Sequence, residues 1–181
     1  MNAYSPVEGK LDTSPAGLLV SINASAAGSD RIASADLAIL SIFNYYNNEL
    51  LGGVSGKNLA MNYVNSKYDL VEENIFKSNE FTYSDSLPGD GFTRYNTADN
   101  RWVLIGPSAF VSENSLAATI GHENVHYNQP YSVIRDDDIV REPPAYQWEL
   151  DNANRIGLSA SARAKAQEYV DWGNGVGPDP R

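Results

Sequence analysis

Cysteine is absent from the sequence, and that absence alone removes three kinds of chemistry. Disulfides cannot staple the fold, thiolates cannot hold a metal, and no cysteine nucleophile exists. Positive charge is also scarce: 13 Lys and Arg stand against 23 Asp and Glu, a formal net charge of -10 at pH 7. So acidic a surface repels phosphate backbones and anionic lipid, which argues against nucleic acid as a partner and is compatible with a cationic substrate. No apolar run approaches the roughly 20 residues that cross a bilayer, so no membrane insertion is expected. The first ten residues lack the charged-then-apolar layout of a signal peptide. There is no internal repeat. Histidine is rare, with two in 181 residues.

The remainder has globular composition, with 42% hydrophobic residues that include 11 Tyr and 3 Trp. The length suits a single domain over residues 1–181, with 1–16 and 173–181 as flexible ends. Leu18–Ile22 has the look of a short strand. Ser34 caps a helix that runs to Gly52-Gly53. Apolar spacing predicts helix from about Asn58 to Phe76, as one piece or two. Pro88-Gly-Asp-Gly91 marks Phe81–Gly91 as loop, and Phe92–Tyr95 with Trp102–Ile105 form a hairpin around Asn96–Asn100. Ser112 caps a helix that stops before Pro130, with Glu113 in its first turn. Glu142-Pro143-Pro144 opens another helix, and Ser159 or Ser161 a last one that reaches Trp172. The expected class is α+β, mainly helical.

The two histidines close one motif, His122-Glu123-Asn124-Val125-His126. Residues four apart on a helix share a face, so both imidazoles project together and can hold one zinc ion. Glu123 is turned about 100° from His122 and sits beside the metal, placed to take a proton from an attacking water and pass it to a leaving amine. The chain's own residue frequencies make a chance match on the order of one in a thousand. A tetrahedral catalytic zinc needs one more protein ligand. With no third histidine and no cysteine it must be Asp or Glu, and Glu142 leads Glu149 among those downstream. Pro143 and Pro144 would fix the direction of Glu142, whereas Asp136–Asp138 lie in loop.

Thr119–His126 resembles the active helix of zincin metallopeptidases, and Glu142-Pro-Pro-Ala145-Tyr146 resembles the Glu-x-x-Ala segment that gives gluzincins their third ligand. Ala145–Ser159 is similar to the C-terminal helix of zincin-like toxin domains that end bacterial secretion-system effectors. Metzincins would continue with a glycine and a third ligand where this chain has Gln129 and Ser132. The resemblance implies an HExxH helix beside a small sheet, an edge strand beside the active helix at Trp102–Ile105, where the residues fit an ordinary core strand equally well, and Zn2+ as cofactor. It implies a protein or peptide substrate. It also implies delivery into a target cell, with the periplasm as one compartment of action, on a secretion-apparatus carrier, with an immunity protein as a further partner. Tyr127, Tyr131 and Tyr146 are candidates to donate to an oxyanion, Tyr146 and Tyr131 foremost. Two other readings share these residues: a hydrolase of cell-wall peptides, and a binding module that keeps its metal without cleaving.

Overall fold

A computed structural model describes Phe43 and residues 54–77, 80–97, 100–130 and 138–181. Two units are distinguished along the chain, Met1–Tyr45 and Tyr46–Arg181. In the first, only Phe43 is described, a buried helical residue. The expectations for the N-terminal arm, the strand at Leu18–Ile22 and the ends of the helix after Ser34 lie outside the described residues, as does Tyr131.

The second unit is α+β and mainly helical. In chain order it contains α1 (Val54–Tyr68), the short α2 (Glu73–Lys77), β1 (Phe81–Tyr83), β2 (Gly91–Thr97), β3 (Asn100–Ile105), a 3-10 turn (Pro107–Val111), α3 (Glu113–Asn128), α4 (Asp138–Asn152) and α5 (Ala160–Gly173). None of the described helices is long and apolar enough to cross a membrane. The stretch expected between Asn58 and Phe76 is two helices. They part at Asp69, whose φ of 49° leaves helical space, and the Asn65 side chain clasps both the N–H and the carbonyl of Val71 across the break.

The sheet has the order β1-β3-β2. The expected hairpin is present: β2 pairs antiparallel with β3, Phe92 opposite Leu104 and Arg94 opposite Trp102. Phe81–Tyr83 is not loop. Phe81 lies parallel beside Val103, and the Glu80 carbonyl accepts the Val103 N–H at 2.6 Å. Three residues are too short to carry a pattern, and the Pro-Gly turn that follows outweighs them in the sequence. β1 takes one side of β3, which decides between the two readings of Trp102–Ile105: it is the central strand, not the edge, and β2 is the edge that lines the cleft.

Helix α3 is the axis of the unit. Ser112 caps it by accepting the Ser115 N–H at 3.0 Å. Leu116, Ala117 and Ile120 are fully buried, together with Met61 and Val64 of α1, Val103 and Ile105 of β3, and Ile156. At the N-terminal end of α3, buried Glu113 accepts from Lys67 at 2.5 Å and from the Tyr68 hydroxyl at 2.7 Å, which ties α1 to α3. Helix α4 begins at Asp138, one turn earlier than Glu142-Pro-Pro implies, so both prolines are interior. They withdraw the donors that the carbonyls of Ile139 and Val140 would use. This is tolerated because that first turn is open to water, with Ile139 38% and Val140 47% exposed. Ser159 caps α5 as expected. Beyond α5, the Arg181 guanidinium lies over Trp172 and pairs with Asp138 at 2.9 Å.

Candidate metal centre

Two helices bring the site together, and two small residues let them approach. Ala145 of α4 is fully buried. Gly121, one residue before the first histidine, lies under Trp148 of α4, and a Cβ there would overlap the indole ring. At this separation, acidic side chains on α4 reach the histidines of α3.

Three atoms converge. His122 Nε2 and His126 Nε2 are 3.1 Å apart, and Glu142 Oε2 is 3.3 Å from the first and 3.4 Å from the second. Tetrahedral ligands at 2.0–2.1 Å from zinc would be separated by about 3.3–3.4 Å, so the triangle has the edge length that such an ion requires. The three side chains keep only 12%, 7% and 17% of their exposure.

The outer atoms of the same groups are also engaged. His122 Nδ1 donates to Glu149 Oε1 at 2.7 Å. His126 Nδ1 donates to Gln129 Oε1 at 3.0 Å, and the Gln129 amide is oriented by its own donation to the Arg141 carbonyl at 2.7 Å. In neutral imidazoles with Nδ1 protonated, both Nε2 atoms would present lone pairs to the point that Glu142 Oε2 also faces. Three acceptors so close need a cation among them, either protons or a metal. The other oxygen of Glu142, Oε1, accepts from the Arg141 guanidinium at 3.1 Å, which aims Oε2 inward. Glu142 and Glu149, the two leading candidates for the third ligand, thus occupy different places: Glu142 faces the convergence point, and Glu149 backs His122.

These contacts set the charge states. Burial by itself pushes the His122 imidazole down, but hydrogen bonds to Glu142 and Glu149 outweigh it and hold its pKa up at about 10 without a metal. Glu142 is likewise pushed up by burial, yet the hydrogen bonds from His122 and His126 hold it far below the usual carboxylate range.

Glu123 is buried on the sheet side of α3. The Thr93 hydroxyl donates to its Oε2 at 2.6 Å, and a Cβ on Gly91 would come within 2.6 Å of its Cγ. Strand β2 therefore grips this carboxylate through one hydroxyl and one missing side chain. A cleft of about 620 Å3 opens over α3, with β2 on one side and the Gly157–Ser159 turn and α5 on the other. His122, Glu123, His126, Glu142, Tyr146 and Glu149 all line it.

Comparison with known protein families, with characterised proteins and with solved structures finds no match. The site thus stands on its own geometry.

The tyrosines separate. Tyr146 packs its ring edge-on against His122, with centroids 4.7 Å apart, and stacks on Tyr169 at 4.1 Å. Burial raises its pKa, with Tyr169 and the neighbouring carboxylates adding to the effect, so it keeps its proton as a donor. Tyr127 points away and donates to Glu80; burial and that carboxylate push its pKa up to about 12. It is withdrawn from the candidates for an oxyanion donor. Sequence reasoning missed Gln129, Thr93, Gly91, Gly121 and the outer role of Glu149. None belongs to the two-histidine motif, and only Gly121 adjoins it.

Proposed function

We propose that the protein is a zinc-dependent peptidase of zincin type, with His122, His126 and Glu142 as ligands and Glu123 as general base. The observation that carries this reading is the near-equilateral triangle of two Nε2 atoms and one carboxylate oxygen, with a buried, hydrogen-bonded glutamate in the same cleft. A zinc ion held there would supply Lewis acidity toward a carbonyl and lower the pKa of water. Glu142 and the two imidazoles would hold the ion, with Glu149, Gln129 and Arg141 orienting them. Glu123 accepts a proton from the attacking water and returns it to the leaving amine, and the Thr93 hydroxyl keeps its carboxylate facing the cleft. Tyr146 stands nearest His122 as a donor to developing negative charge. The β2 edge offers main-chain groups to an extended peptide.

Cell-wall peptides present the same amide bond. A toxic effector domain delivered to another cell, with a carrier and an immunity protein, is the setting that the resemblance to zincin-like toxin domains favours. Elemental analysis of the protein and of the His122→Ala, His126→Ala double variant tests the metal. Incubation with unfolded casein and with purified wall, each with and without chelator, tests the chemistry. One zinc per chain, lost in the double variant, with chelator-sensitive cleavage of either material, is expected. Full zinc in the double variant would remove the basis of the proposal.

A further inference from the structure

Most polar groups lining the cleft are already committed to partners inside the protein. Arg141 is held by Asp138 and Glu142. Thr119 donates to the Ser115 carbonyl, and Asn114 to the Gly157 carbonyl. Lys165 is different. It lines the cleft from α5, is exposed, and makes no ion pair or hydrogen bond among the described residues. Its position relative to the metal centre follows from helix geometry. Lys165 and Tyr169 are four apart on α5 and share a face. Tyr169 stacks on Tyr146, and Tyr146 packs on His122. The ammonium is thus carried on the same face of α5, about one turn before the aromatic pair that flanks the first histidine.

We propose that Lys165 is a specificity-determining residue that binds a carboxylate on the substrate. The carboxylate is that of an acidic side chain, or of a chain end, close to the bond that is cut. This inference rests on the peptidase reading above and adds a preference to it. None of the ammonium's three donors meets an acceptor among the described residues, and Lys165 lines the cleft that a peptide would occupy. Among the described lining residues, Asp90, in the turn before β2, and Glu123 are carboxylates without an ion pair. The net charge of -10 acts against acidic substrates at a distance. At physiological salt that field is screened beyond about 8 Å, so the near cation decides the choice. A single partly exposed ion pair gives about a fivefold preference at most, and reversing its sign shifts the preference by about 25-fold between the two proteins.

The test uses synthetic peptides identical except for Glu, Gln or Lys at one position on either side of a central cleavable segment, each with a free or an amidated C-terminus. Cleavage rates are compared for the wild type and Lys165→Glu. Binding is measured by fluorescence anisotropy on zinc-loaded Glu123→Gln, with and without Lys165→Glu. Zinc content and the unfolding midpoint report that the variants are folded. The expected result is about fivefold tighter binding and faster cleavage of one acidic series than of its Gln counterpart, with the order reversed toward Lys in Lys165→Glu. A preference for the free over the amidated C-terminus would place the carboxylate at a chain end, and a preference for Glu over Gln would place it on a side chain. No charge preference, no binding of any peptide, or a preference unchanged in Lys165→Glu would overturn the proposal. If the preference appears in binding but no peptide is cut, the acidic subsite stands and the peptidase reading falls.

Discussion

On the proposed reading, replacing Glu149 with Gln separates a metal ligand from its support. The substitution keeps length and shape and leaves an amide oxygen that can still accept from His122 Nδ1, now at 2.7 Å from a carboxylate oxygen. What is lost is negative charge beside a largely buried ring, with both side chains 12% exposed. Partners of this kind, standing behind a histidine ligand, are worth about 10–100-fold in metal affinity, or about 1.4–2.7 kcal/mol. Glu142→Ala instead removes one of the three inward-facing atoms and leaves the Arg141 guanidinium with Asp138 alone, so its effect should exceed that range. Competition with a chromophoric chelator at pH 7 measures both. The expected order of zinc affinity is wild type, then Glu149→Gln, then Glu142→Ala. If Glu149→Gln lost more affinity than Glu142→Ala, the assignment of inner and outer carboxylates would be reversed. Unchanged affinity in Glu149→Gln would refute the argument from outer support.

Gly121→Ala forces a Cβ into Trp148. It should lower stability by about 1–3 kcal/mol in urea unfolding and weaken zinc binding as well, because α4 carries both carboxylates. Without a metal, the His122 imidazole of the folded protein is held up at about 10, above its ordinary 6.5. A raised pKa means that the folded chain holds the proton more tightly. The stabilisation is therefore complete below about pH 6.5 and is lost as pH rises toward 10. Urea midpoints of the stripped protein should fall across that window, and less so in Glu149→Gln. A flat profile in both would contradict the charge assignment.

The sequence carried the elements that have long or punctuated signals. Ser112, Ser159 and the His122–His126 spacing act within one turn of their own helix, and their roles are local. The α4 boundary was misread because an interior proline pair resembles a first turn unless the exposure of Ile139 and Val140 is known. β1 depends on pairing with Val103, twenty-two positions away from Phe81, and a three-residue strand cannot announce that partner. The same limit applies around the histidines. Glu142 was legible through its neighbours Pro143, Pro144 and Ala145. Glu149 was legible as a candidate carboxylate, but its place behind His122 is a matter of which rotation of α4 faces α3. Gln129, Thr93 and Gly91 carry no motif, and their meaning arises only when α4 and β2 close on α3.

On the proposed reading, the decisive quantity is the rate at which zinc-loaded Glu123→Gln cleaves unfolded casein, compared with wild type at equal zinc content. The substitution keeps the acceptor oxygen for Thr93 and removes only the base. A fall of about 10²–10⁴-fold, with one zinc per chain in both proteins, is predicted. Cleavage at the wild-type rate, or cleavage that persists after the zinc is removed, would contradict it.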